Sequence, residues 1–154
     1  MLRGRYLIVA TALALVVLLV GCWGGTPIMV VSGQTEYGNP ASEGDLTSGT
    51  EINFGFVMGN GTYTEITFTI ANTGTGDLIL AEMATDPIAI TGDAGGFYSV
   101  AQQPESVIPP EATQDFILRF TSDGTYQDTS ATAAIASNDP ENANFTLSLI
   151  GTSS

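Results

Sequence analysis

The chain has 154 residues, sixteen acidic against three basic, with no histidine and a formal net charge of −13. That length accommodates one domain around one core, and so acidic a chain repels phosphate backbones, which excludes nucleic acid as a partner. With no histidine, no lysine and one cysteine, the usual proton acceptors for a Ser, Thr or Cys nucleophile are missing, and the imidazole and thiolate ligand count rules out an imidazole- or thiolate-bound zinc.

The first segment is an export signal in layout. Arg3 and Arg5 precede a run over residues 6–20 that is apolar but for Thr11, closed by Gly21 and Cys22. The run is shorter than the roughly 20 residues a spanning helix needs and has the length of a signal-peptide apolar region. Leu19, Val20, Gly21 and Cys22 resemble the bacterial lipobox, whose cysteine receives diacylglyceryl and becomes the first residue after cleavage. Cys22 is the only cysteine, so an internal disulfide is not available to it. The expected organisation is a signal peptide over 1–21, a lipidated Cys22 with a short tether over 22–26, and one domain over 27–152. Two or three acyl chains give stable membrane attachment, since each buried methylene contributes roughly 0.8 kcal/mol. Cleavage removes Arg3 and Arg5 and leaves Arg119 alone against all sixteen acids.

Trp23 and the glycines at 24 and 25 read as a flexible tether, with Trp23 either at the lipid interface or without consequence. From Ile28 onward the apolar pattern has period two, and helical spacing is not sustained anywhere. Strands are expected over 28–32, 51–58, 63–71, 77–81, 88–91, 97–101, 115–121, 129–137 and 144–151. The clearest alternates Ile66, Phe68 and Ile70 with Glu65, Thr67 and Thr69. Asn138, Asp139, Pro140, Glu141 and Asn142 form the turn between the last two. Short strands at this spacing predict an all-β, immunoglobulin-like antiparallel β-sandwich of about seven to nine strands.

Four segments then resemble the bacterial choice-of-anchor D domain, one of the ASH/Hydin-type immunoglobulin-like sandwiches. They are Asn53-Phe54-Gly55, the run from Phe68 through Asn72-Thr73-Gly74-Thr75-Gly76-Asp77 to Leu78, Ile135 to Pro140, and Phe145 to Thr152. In the second run Gly74 and Gly76 are expected to supply positive φ in a tight hairpin, and Asn72 or Asp77 to bond turn amides. Departures occur at Asn53, where the family usually has Asp, at Glu111-Ala112, where a Gly pair is common, and at the short Ser122-Asp123-Gly124 loop. The resemblance implies a surface module with no catalytic residues to carry over.

Sixteen carboxylates make chance pairs, but glycoside hydrolysis needs a cleft and one raised pKa, so the expectation is a non-enzyme. The Asp and Asn residues of the loops are read as turn formers. The alternative is a structural calcium ion on Asn138, Asp139 and Glu141, or near Asp77 or Asp123 and Asp128, although no EF-hand spacing is present. The sequons at Asn60 and Asn144 are read as chance. The leading functional expectation is a lipid-anchored binding or adhesion module presenting loops such as 93–96 to a protein or glycan ligand. The alternative is a structural envelope lipoprotein that assembles by edge-strand pairing, with 28–32 as the candidate edge. Trp23 in place of an Asp after Cys22 favours the outer membrane or cell surface.

Overall fold

The computed structural model describes residues 24–80 and 86–154. The expected signal peptide, the lipobox residues Leu19, Val20 and Gly21, the lipidation residue Cys22, Trp23 and the last residue of the strand expected at 77–81 lie outside the described residues. No helix among the described residues is long and apolar enough to cross a membrane.

Among the described residues, eleven strands and one 3-10 turn (Pro40–Ser42) follow one another: β1 Met29–Gln34, β2 Glu43–Leu46, β3 Thr50–Val57, β4 Tyr63–Asn72, β5 Leu78–Ile79, β6 Ile88–Thr91, β7 Tyr98–Gln102, β8 Val107–Ile108, β9 Thr113–Thr121, β10 Gln127–Ala136 and β11 Asn144–Ser153. They form a five-stranded sheet in the order β2-β1-β4-β9-β7 and a four-stranded sheet in the order β3-β11-β10-β6, with β5 and β8 as a separate ribbon. This is the expected immunoglobulin-like sandwich. The sequence pattern missed β2 and β8: β2 has a single apolar side chain, Leu46, and two-residue β8 is too short to show a period. One pairing is parallel, β11 with β3.

The alternation works because each strand sends every second side chain between the sheets. Ile66, Phe68 and Ile70 of β4, Phe116, Leu118 and Phe120 of β9, and Phe145, Leu147 and Leu149 of β11 are all buried. Phe68 and Phe116 stack at 5.1 Å between centroids, being cross-strand partners, a contact worth about 0.5–1.5 kcal/mol beyond its burial. Phe54 of the four-stranded sheet meets Tyr98 of the other edge-on at 5.8 Å, which ties the two layers together.

Strand β1 crosses between layers at its end. Its residues pair with β4 and β2, after which the Tyr37 N–H donates to the Asn53 carbonyl at 2.9 Å and the Asn53 N–H donates to the Thr35 carbonyl at 2.8 Å. The strands run between two ends of the sandwich. One end carries the chain from Gly24 to Ile28 with loops 73–77, 109–112 and 137–143; the other carries loops 58–62, 92–97 and 122–126. The ten residues of β4 separate these ends by roughly 30 Å.

Candidate functional site

At the first end the described chain begins by docking. The Thr75 N–H donates to the Thr26 carbonyl at 2.9 Å, and the Thr73 N–H donates to the Ile28 carbonyl at 2.9 Å. The expected free tether is therefore fastened from Gly25 onward. Gly74 and Gly76 are not at positive φ, which corrects the hairpin expectation. They are glycines because a Cβ at Gly74 would run into the Thr26 carbonyl, and one at Gly76 into the Gly25 carbonyl. Close backbone approach, not handedness, sets the residue type.

Asn72 holds this end together. It is fully buried, and its Oδ1 accepts from the Gly74 N–H (3.0 Å) and the Ile28 N–H (3.3 Å), while Nδ2 donates to the carbonyls of Gly76 (2.8 Å) and Ile108 (2.9 Å). The expectation that Asn72 bonds turn amides is met, and it reaches two further segments that no local pattern reveals. Asp77 contributes only its carbonyl, which accepts from Asn138 Nδ2 at 3.0 Å.

The calcium candidates lie beside it. Asp139 is 2% exposed; its carboxylate accepts from the Met29 N–H at 2.7 Å, the Glu141 N–H at 2.8 Å and Asn142 Nδ2 at 3.2 Å. Burial pushes this carboxyl up, but the hydrogen bonds outweigh it and hold the group below its ordinary range. The Asn138 Oδ1 accepts from the Ile79 N–H at 2.8 Å, and Glu141 is exposed. A cation would have to compete with these N–H donors, and among the described residues no three Asp, Glu, Cys or His side chains gather around a common point. At the other end the Asp123 carboxylate lies below its ordinary range because the Thr125 hydroxyl and N–H, Ser153 and Gln127 all donate to it.

Each edge of the two larger sheets carries a different device that limits pairing. β1 lies between β2 and β4, and β2 pairs with it from Val31 to Gln34, so only Val31 and Ser32 of the candidate edge at 28–32 are interior, while the Met29 N–H is taken by Asp139. The outer neighbour β2 is short and carries Glu43 and Asp45. The Gln103 side chain acts on β6 as a neighbouring strand would: Oε1 accepts from the Ile88 N–H at 3.0 Å and Nε2 donates to the Ile88 carbonyl at 2.8 Å. β7 carries a register shift between Val100 and Gln102, and β3 is covered at Asn53 by the continuation of β1.

What remains open is an aromatic patch at the end away from the N-terminus. Phe56, Met58 and Tyr126 are 54%, 67% and 76% exposed, and the Phe56 and Tyr126 rings lie 6.2 Å apart. Strict alternation after Ile52 and Phe54 puts Phe56 and Met58 in the core. Gly55, at φ 75°, inserts an extra residue: Ile150 and Thr152 of β11 pair with Asn53 and Phe56 of β3. The bulge turns Phe56 and Met58 outward and Val57 inward. The Asn53 side chain accepts from the Gly55 N–H at 2.8 Å and holds the bulge in place.

On this outer face Phe56, Thr152 and Asp128 form one cross-strand row, and Asn53, Ile150 and Ser130 the next. A shallow depression of about 390 Å³ lies over these rows. A second, of about 340 Å³, shares Asp128 and Ser130 with it and extends under loop 92–97 to Asp93 and Phe97.

No family model matches the sequence, and no curated protein matches it. Among solved structures, the chain is similar to a protein of unknown function from Porphyromonas gingivalis W83, at a TM-score of 0.55 and 17% identity over 84% of this chain and 48% of that one. It spans about half the length of that protein. Also similar are the ASH / PapD-like domain of human CEP192 (PapD-like domain 7), at a TM-score of 0.47 and 14% identity over 82% of this chain and 84% of that one, and the secreted serine protease VesC from Vibrio cholerae, at 0.46 and 12% over 70% and 23%. Identities this low speak to fold alone.

Proposed function

We propose that this chain is an exported, non-enzymatic lipoprotein, held on the outer membrane or cell surface by acyl chains on Cys22 and carrying one immunoglobulin-like binding module of the choice-of-anchor D type. One observation carries the reading: the chain enters the sandwich at one end, through the contacts of Thr26 and Ile28, and the exposed aromatic loops lie at the other. From Cys22 to Gly25 the chain extends at most about 10 Å. A lipid on Cys22 therefore holds the entry end beside the bilayer and leaves loops 58–62 and 122–126 facing outward, as a module that meets partners requires. The devices that limit pairing at the edges speak against the alternative of assembly by strand pairing.

The test is the intact mass of membrane-extracted protein beside that of Cys22→Ala, with fractionation and protease shaving of whole cells. The expected result is a diacylglyceryl-modified Cys22, loss of the domain on shaving, and release of the variant from membranes. An unmodified, released wild-type chain would overturn the anchor.

A further inference from the structure

We propose that the outer face of the four-stranded sheet around Phe56, Met58 and Tyr126, with Asp128 beside them, is a docking surface for an arginine- or lysine-bearing segment of a partner protein. The inference rests on the binding-module reading above and adds the chemistry of the partner.

Charge complementarity selects the occupant. Arg119 is the sole basic side chain among the described residues. It lies on the five-stranded sheet, where its guanidinium bonds Glu65 at 2.6 Å and covers the Tyr63 ring at 4.3 Å. It therefore offers nothing to an anion at the patch. Asp128 follows Phe56 across two strand spacings, roughly 10 Å, and is exposed. Asp123, in the loop that carries Tyr126, is exposed as well, and its hydrogen bonds keep it ionised. An anionic partner is repelled by both. A cation gains twice, because exposed aromatic faces attract guanidinium and ammonium groups and the carboxylates steer them in. Met58 provides an adaptable apolar contact for the methylene stems of such side chains. The depression over Asn53, Ile150 and Ser130 gives the rest of an extended segment a place to lie.

The experiment titrates the full chain, as recovered from the cells that make it, with a labelled short peptide of alternating Arg and Ser, at low and at physiological ionic strength. Wild type should bind with salt-sensitive affinity. Phe56→Ala and Tyr126→Ala should each weaken binding about two- to fivefold, and Asp128→Asn should weaken it and flatten the salt dependence. The double variant Asp77→Asn with Glu141→Gln removes more charge at the opposite end and should leave binding unchanged. Circular dichroism melting of each variant checks the fold, and the surface placement of Phe56 and Tyr126 predicts unaltered melts.

Three results would overturn the proposal. The first is absence of peptide binding. The second is equal loss in the opposite-end variant, which marks diffuse attraction to an acidic protein. The third is ring-dependent binding of a neutral glucan, or ring-dependent self-association in sedimentation, in place of the peptide. The mass measurement on Cys22 reports the anchor separately, so failure of either reading leaves the other to be judged on its own assay.

Discussion

Asn72→Ala tests the account of the sandwich's entry end most directly. The substitution removes four hydrogen bonds. Two of the abandoned groups are in buried surroundings, the Gly74 N–H and the Ile108 carbonyl, and each costs about 1–3 kcal/mol when left without a partner. The other two lie closer to solvent and cost less. A loss of roughly 3 kcal/mol is expected, which for a domain of this size lowers Tm by about 10 °C. Asn72→Asp sharpens the test, since it keeps Oδ1 but presents a second carboxylate oxygen to the carbonyls of Gly76 and Ile108. It should be worse than Ala at neutral pH. A buried carboxyl facing acceptors has a raised folded-state pKa, so this deficit is full above that value and shrinks as pH falls toward the unfolded value of about 3.9. Urea unfolding followed by circular dichroism at several pH values measures both. If Asn72→Ala costs less than about 0.5 kcal/mol, or Asn72→Asp matches wild type at neutral pH, the hub assigned to Asn72 is wrong.

Asp139→Asn should cost about 1–3 kcal/mol at neutral pH, because Oδ2 accepts from the Met29 N–H and Asn142 Nδ2 and Oδ1 from the Glu141 N–H, and Asn replaces one of these acceptors with an NH2 that faces a donor. The Asp139 carboxyl is held below its ordinary value of 3.8, so its contribution is present above that pH and is lost as pH falls through the folded value; the gap between variant and wild type should close on acidification. Glu111 has φ 61°, a conformation costing about 1–2 kcal/mol for a residue with a Cβ, partly offset by the 0.5–1 kcal/mol entropic cost of glycine. Glu111→Gly should therefore raise stability by roughly 0.5–1 kcal/mol where Glu111→Ala does not, as read by thermal melting. Gly76→Ala should undock the chain start and expose residues 24–28 to protease, whereas Gly44→Ala, with nothing within 4 Å of its added Cβ, should leave cleavage unchanged; equal cleavage of the two would refute the close-approach explanation.

The sequence by itself determined the layers of this protein. Alternation in β4, β9, β10 and β11 is a local record of which side chains face the core, because a two-residue period is built into every strand. Turn residues between them mark the reversals, so the all-β sandwich is legible without coordinates. Composition likewise decides the missing imidazole and amine chemistry. The tertiary structure decided everything that depends on what lies across a gap. Gly74 and Gly76 look like turn glycines, and only the Gly24–Ile28 segment laid against them shows that they make room for backbone. Asp139 looks like a surface turn residue until Met29, remote in sequence, donates to it. The strand at 28–32 looks like an available edge until β2, whose one apolar side chain is Leu46, pairs with it from Val31 onward and Asp139 takes the Met29 N–H. Most consequentially, one extra residue at Gly55 reverses the faces of Phe56, Val57 and Met58. A bulge is defined by the strand opposite, so its effect on which side chains meet solvent is decided by pairing with β11 and not by the order of residues in β3.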